Sequence, residues 1–390
     1  MNIALRPAVR PRIDALADSK IREVAAPWMT NTDVIPLWFG EPDLPTPRFI
    51  CDAASAAMAA GKTQYTPSGG IAELRRALAL YQEGLKGRAI DPERIVVTAS
   101  GMSAIQVVMQ SLIDPGDRVV IPHPLWPNAA AVIQAQGGTV TPVLLEAENG
   151  VWHLDLEKLF AALGEDARAL FLNSPGNPTG WMMTSEQQRQ ILDYCRRRGI
   201  WIIADEVYER IVYEAPVAPS FLSLAEPEDR VIAINSFSKT WCMTGWRLGW
   251  VTAPSFLVAT LHRLNEFNTS GSNTFVQWAG VTAVEAGEPF VEAQLQRYRR
   301  ARDLVFQRLS GMRRVSLLRP AGAFYAFFRV DGMKDSLAFA KRLVAEHRVG
   351  LAPGTAFGAG GEGHLRLCFA SAPETLSRAM DRIETALSKI

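Results

Sequence analysis

Seven short apolar runs, separated by helical patterns, constrain this chain more than any other feature of it. They cover residues 95–99, 118–121, 139–144, 168–172, 200–204, 231–234 and 248–252. Each is too short for a helix, and apolar side chains at consecutive positions need cover on both faces. Helical patterns fill the gaps over 103–113, 129–136, 155–163 and 185–198. The last opens on a Ser185-to-Gln188 capping box and closes at Gly199. This alternation predicts an α/β fold: a mostly parallel seven-stranded sheet sandwiched by helices.

The rest of the chain follows a different pattern. Pro7 and Pro11 break an N-terminal arm, after which Ile13, Leu16, Ile21 and Val24 suggest a short helix. A turn-rich stretch from Leu37 to Asp43 carries two exposed-looking aromatics, Trp38 and Phe39. Helices are expected from Thr46 onward and again after Gly70, with Ile71, Leu74, Leu78 and Tyr81 on one face. Beyond about residue 275 come a long helix over 289–309, strands over 315–318, 324–330 and 365–369, and a helix over 336–346. The final helix opens on a Ser371-to-Glu374 capping box and buries Leu376, Met380, Ile383 and Leu387. A length of 390 residues suits two domains. The expected division is an arm and part of the small domain over 1–45, a large domain over 46–280, and a small α+β domain over 281–390.

Composition narrows the function classes. Formal net charge is +1, with the basic residues spread out, so nothing favours nucleic acid or an acidic membrane as partner. The four cysteines form no CxxC pair and the five histidines show no metal-ligand spacing. No disulfide framework or metal site is expected, and no apolar run reaches the length of a membrane span. A cytoplasmic protein without a targeting segment is the expectation. The glycine-rich stretch 357–363 neither follows a strong strand nor opens a helix, so it reads as a flexible loop rather than a dinucleotide site.

In an open α/β sheet, ligands sit beyond the carboxyl ends of the strands. Five such ends carry unusual residues. Ser100-Gly101-Met102-Ser103 runs straight into a helix whose free N–H groups suit a phosphate, though an ordinary serine cap would look the same. Trp126 stands between two prolines, as core cover or as a stacking platform. Asn173-Ser174-Pro175-Gly176-Asn177-Pro178-Thr179-Gly180 makes a rigid turn with an outward amide at Asn177. Asp205 follows Ile-Ile-Ala, and a buried carboxylate there needs a partner; Tyr208 lies three residues on. Lys239 sits among small hydroxyl residues with Arg247 as its near cation, which lowers a lysine's pKa and makes its amine nucleophilic. Alone, Lys239 is more simply a packed surface lysine. Together the five ends fit one molecule. Pyridoxal phosphate needs an imine lysine, an acid at its ring nitrogen, donors for its phenolic oxygen, an aromatic platform and a phosphate cup.

On these motifs, with Ser236-Phe237-Ser238-Lys239 and Gly245-Trp246-Arg247-Leu248-Gly249, the sequence resembles the class I, fold-type I aminotransferases, in the subgroup around aspartate aminotransferase. The resemblance runs from about Leu37 to the C-terminus. It implies that Lys239 carries the cofactor as a Schiff base, that Asp205 pairs with the ring nitrogen, and that Asn177 and Tyr208 bind the phenolic oxygen. It implies Trp126 stacking on the ring and Ser100, Gly101, Met102, Ser236, Ser238 or Thr240, and Arg247 around the phosphate. Tyr65 resembles the tyrosine lent to the neighbouring subunit's phosphate, Arg366 the arginine that clamps the substrate α-carboxylate, and Gly40 the glycine at that carboxylate. A homodimer with shared sites is implied, as is ping-pong transfer of an amino group between an L-amino acid and a 2-oxo acid. Lys239 would act as nucleophile and then as proton carrier. Met102 stands where some dicarboxylate-specific relatives carry lysine. With Trp38, Phe39, Tyr325 and Phe357 as an apolar side-chain pocket, the reading leans to neutral or aromatic amino acids, aspartate remaining open. Two rival readings are a C–S β-lyase on the same fold and a ligand-sensing domain of a transcription regulator, the latter requiring a helix-turn-helix module for which the arm is too short.

Overall fold

The computed structural model describes residues 9–388; the start of the arm, with Pro7, lies outside the described residues. Its seven-stranded sheet consists of β1 (Ile95–Thr98), β2 (Arg118–His123), β3 (Thr139–Leu144), β4 (Ala167–Asn173), β5 (Trp201–Asp205), β6 (Val231–Ser236) and β7 (Gly249–Thr252). The spatial order is β1-β7-β6-β5-β4-β2-β3, with β7 antiparallel to both neighbours and the other pairs parallel. The architecture is therefore the expected α/β sandwich.

Alternate residues of the apolar runs enter different cores, which explains their continuity. On β5, Trp201 and Ile203 join one cluster while Ile202 and Ala204 join another. On β4, Ala169 and Phe171 face the first cluster, and Leu170 and Leu172 the second. Burial on both faces removes any reason for polar alternation.

Helices cover the sheet. Those named below are α1 (Lys20–Ala25), α2 (Gly101–Leu112), α3 (Ser185–Arg198), α4 (Ser255–Thr269), α5 (Thr274–Ala286), α6 (Glu288–Ser310) and α7 (Pro373–Leu387). A second, four-stranded sheet holds β8 (Val315–Leu317), β9 (Tyr325–Val330), β10 (Ala352–Pro353) and β11 (His364–Cys368), in the order β8-β9-β11-β10 and all antiparallel. Ile21 and Val24 of α1, with Leu37 and Trp38, pack into the same core as this sheet.

Several local expectations need correction. The capping box of α3 is Thr184 with Gln187: the Gln187 N–H donates to Thr184 Oγ1 at 3.1 Å, and the Thr184 N–H to Gln187 Oε1 at 3.0 Å. Ser185 is already the first helical residue. At α7 the N-cap is Ala372, which has no acceptor side chain, so Ser371 caps nothing; Pro373 opens that helix without an N–H to satisfy. Trp38 is buried at 2% exposure rather than exposed, in contact with Gly350, where a Cβ would overlap its indole. Helices α4 and α5 escaped the sequence reading. Their apolar residues do not keep to one stripe, and Ser270 and Gly271, both at positive φ, part them.

Candidate active site

The carboxyl ends of β4, β5 and β6 and the start of α2 open into a cavity of about 320 Å³, closed from the other side by Phe39 and Gly40, Tyr325 and Arg366. Ser100 caps α2, its Oγ accepting from the Ser103 N–H at 2.9 Å. Gly101 follows as the first helical residue. Backbones run close here: a Cβ on Gly249 would lie 2.5 Å from Gly101 N. Gly101 and Met102 therefore present the helix N-terminus to the cavity, where its partial positive charge favours an anion.

Ser236 ends β6 and caps a one-turn helix, Phe237–Thr240, its Oγ lying 3.0 Å from Ser238 Oγ. Both serines line the cavity. Arg247, at the mouth, holds a left-handed backbone with φ +56°, a conformation that costs a non-glycine residue free energy and aims its side chain at the same end. Its guanidinium donates to Thr244 O at 2.6 Å.

Lys239 rides on that short turn, its Nζ donating to Gly40 O at 2.7 Å. The residue is partly exposed through the mouth, yet its amine is enclosed. Desolvation, aided by Arg366 and Arg247 and opposed by Cys368 and Glu41, holds its pKa down at about 8. Asp205, 6% exposed at the end of β5, shows the opposite shift. Burial raises it to about 7, against the Val207 N–H, which donates to Oδ1 at 3.3 Å, and the charge of Lys239.

Tyr208 lies 2.6 Å, hydroxyl to hydroxyl, from Tyr325, and burial raises both phenols. Asn177 is buried, contrary to the outward amide expected of it: its N–H donates to Asn173 Oδ1 at 2.8 Å and its own Oδ1 accepts from Arg366 at 2.9 Å. Arg366, on β11 and 2% exposed, also donates to Trp38 O and lies over the rings of Tyr325 and Phe357 at 4.6 and 4.9 Å. Its Nε has no partner among the described residues. Trp126 lines the cavity, its N–H donating to Asn177 O at 2.9 Å.

The structure thus gathers Gly40, Gly101, Met102, Trp126, Asn177, Asp205, Tyr208, Ser236, Ser238, Lys239, Arg247 and Arg366 around one cavity. Ser100 lies just behind it as the cap. Tyr65 stands apart, 93% exposed, in a groove beside residues 269–275. Of the aromatics expected to line a side-chain pocket, Phe39 and Tyr325 do so; Trp38 and Phe357 are buried behind the wall and support Arg366 instead. Sequence reasoning missed Ile21, Ile105, Asn128, Asn173 and Val207. Asn173 stood within a motif already singled out, and Val207 next to Asp205. Nothing in the sequence shows that α1 folds back to bring Ile21 here.

An amine of lowered pKa and a buried acid, set beside a helix-terminus anion cup at the carboxyl edge of a mostly parallel sheet, mark an enzyme site of the α/β class. The chain belongs to the aminotransferase class I and II family, whose model matches residues 32–383. It is an aminotransferase, of a family that uses pyridoxal phosphate. Among its relatives are an aspartate aminotransferase of Pyrococcus horikoshii, 36% identical over 97% of both chains, and aromatic-amino-acid aminotransferase 2 of Thermococcus litoralis, 35% identical over 98% of this chain and 99% of the other. A solved aspartate aminotransferase variant of Thermus thermophilus superposes with a TM-score of 0.91 at 32% identity, covering 98% of this chain and all of the other. No helix among the described residues is long and apolar enough to cross a membrane.

Proposed function

We propose that this aminotransferase uses pyridoxal phosphate anchored on Lys239 and passes an amino group between an L-amino acid and a 2-oxo acid, which take turns in one pocket. The observation that carries the reading is the pairing of Lys239 and Asp205 across one cavity, each shifted toward its uncharged form. The residues present fit the group. Asp205 is a buried carboxyl with a single 3.3 Å hydrogen bond and would gain a partner in a protonated ring nitrogen. The α2 N-terminus, Ser236, Ser238 and Arg247 form the anion cup, with Ser100 shaping it and Thr240 a further hydroxyl nearby. Trp126 provides the stacking face. Tyr208 and Asn177 would bind the phenolic oxygen.

When bound, pyridoxal phosphate supplies the electron sink that takes up the charge left as the substrate α-proton departs. The chain supplies the rest. Arg366, fixed by Asn177 and Trp38, has the free Nε and planar fork to clamp an α-carboxylate beside Gly40. Lys239 Nζ, as a free amine at the cavity wall, would be placed to accept the substrate α-proton and to give it back to the carbon of the cofactor that gains the amino group. Asp205, given a cationic partner, would be held ionised and would keep the proton on the ring nitrogen.

Tyr65 serves the phosphate of a second copy in a homodimer; its exposure outside its own pocket supports this. The division at 46–280 and 281–390 and a cytoplasmic location belong to the same reading, the latter supported by four free cysteines. Ile21, Phe39, Met102 and Ile105 favour an uncharged amino-acid side chain. A panel of amino donors against pyruvate and 2-oxoglutarate tests this. Leucine, phenylalanine or tyrosine should exceed aspartate in kcat/KM; a preference for aspartate overturns the substrate choice. A Lys239→Ala variant that still transaminates overturns the anchor.

A further inference from the structure

Tyr325 touches three parts of the pocket at once. Its hydroxyl lies 2.6 Å from the Tyr208 hydroxyl. Its ring lies under the Arg366 guanidinium at 4.6 Å. The same hydroxyl presses on Gly40 where a Cβ would overlap it, and Gly40 O accepts the Lys239 amine at 2.7 Å. Tyr325 is wholly buried at the head of β9, and edge contacts with Phe324 and Tyr208 at 5.0 and 5.7 Å fix its ring.

The phenol pair has two protons and one shared bond. One proton lies in that bond, and the other must point elsewhere. The stronger acid donates. Arg366 sits over the Tyr325 ring, and its charge favours negative charge on that phenol. The guanidinium lies over the Tyr325 ring and not over that of Tyr208, so its charge favours the Tyr325 phenolate more. Either hydroxyl can donate in this bond; with Tyr325 as the stronger acid donating to Tyr208 Oη, the Tyr208 proton is left to enter the cavity.

We infer that Tyr325 is a positioning residue for amino transfer: its hydroxyl turns the Tyr208 proton into the cavity and couples that proton to the charge on Arg366. This rests on the reading of Lys239 and Tyr208 as cofactor contacts. A Tyr208 donor stabilises the deprotonated phenolic oxygen of the bound ring. Without that donor, the Lys239 nitrogen would hold its proton more tightly. Weakening the donor thus raises the pH at which that proton leaves.

The test is a pH titration of the visible absorption of the loaded protein, wild type against Tyr325→Phe. The phenylalanine keeps the ring under Arg366, and a melting temperature within a few degrees of wild type checks the packing. The titration midpoint should rise by about half a pH unit or more, the scale of one hydrogen bond. A smaller or downward shift overturns the inference. Tyr208→Phe should raise the midpoint as well, and the double variant should add nothing further, because Tyr325 acts through Tyr208. Additive shifts overturn it too. Failure of the Lys239 reading looks different, since the wild type would then have no lysine-linked chromophore to titrate.

Discussion

Asp205→Asn should stabilise the cofactor-free protein and weaken the loaded one. Burial raises the carboxyl from an ordinary 3.8 to about 7, so the folded state keeps a proton that the unfolded state has already released. Between those values the folded state binds more protons, and stability falls as pH rises. At about 1.4 kcal/mol per pH unit, the loss by pH 8 is roughly 4 kcal/mol, an upper bound because solvent entry and relaxation soften buried charges. Asparagine keeps the shape and removes the titration. Urea unfolding of cofactor-free wild type and variant should therefore agree near pH 4 and diverge by up to that amount at pH 8, the variant being the more stable. Cofactor binding reverses the order. A protonated ring nitrogen gives Asp205 its missing partner, and asparagine cannot match that charge, so dissociation of pyridoxal phosphate should be faster from the variant. If wild type and variant show the same stability difference at pH 4 and pH 8, Asp205 carries no desolvation penalty and the reasoning fails.

Three further outcomes are expected. Lys239, held near pKa 8, should capture pyridoxal phosphate at a rate that climbs about tenfold per pH unit below 8 and levels above it, as the free amine fills; a climb continuing through pH 10 would mean an ordinary lysine. Arg366→Ala should raise KM for the amino acid by about thirtyfold or more, since one partner of a buried charge pair is worth roughly 2–5 kcal/mol, and unchanged KM in steady-state assays counts against the clamp. Lys86→Met should cost about 3–5 kcal/mol at neutral pH by leaving Glu206 and Glu209 buried without their cation. That penalty should shrink as pH falls, because burial raises the Glu206 carboxyl toward its protonated form; equal melting-temperature losses at neutral and at acid pH would refute it.

The parts of the site that could be read from the sequence are those that lie at strand ends. Asp205 and Lys239 each follow a continuous apolar run, and the run fixes where the strand stops and hence where the next polar residue emerges. Arg366 has no such local signal. It sits on β11 among apolar neighbours, and its role depends on Trp38 O and Asn177 arriving from parts of the chain far away in sequence. Ile21 is harder still, because an amphipathic turn such as α1 says which face is apolar and not what that face meets. Trp38 is hidden for the same reason: a tryptophan in a turn-rich stretch looks exposed until Gly350 is brought against it.

The electrostatic design of the pocket explains why its lysine and its acid can share it before any ligand arrives. Lys239 is pushed toward the neutral amine and Asp205 toward the neutral acid, so neither is obliged to form a buried ion pair with the other. A direct pair would spend both groups on each other and leave the cavity without a nucleophile. Lys239 instead donates to a backbone carbonyl, that of Gly40, which holds the amine in place without fixing its charge. Gly40 can approach because it has no Cβ to meet Tyr325. The pocket is therefore short of one cation beside Asp205 and of one anion beside Arg247 and the α2 N-terminus. A phosphorylated pyridinium would supply both.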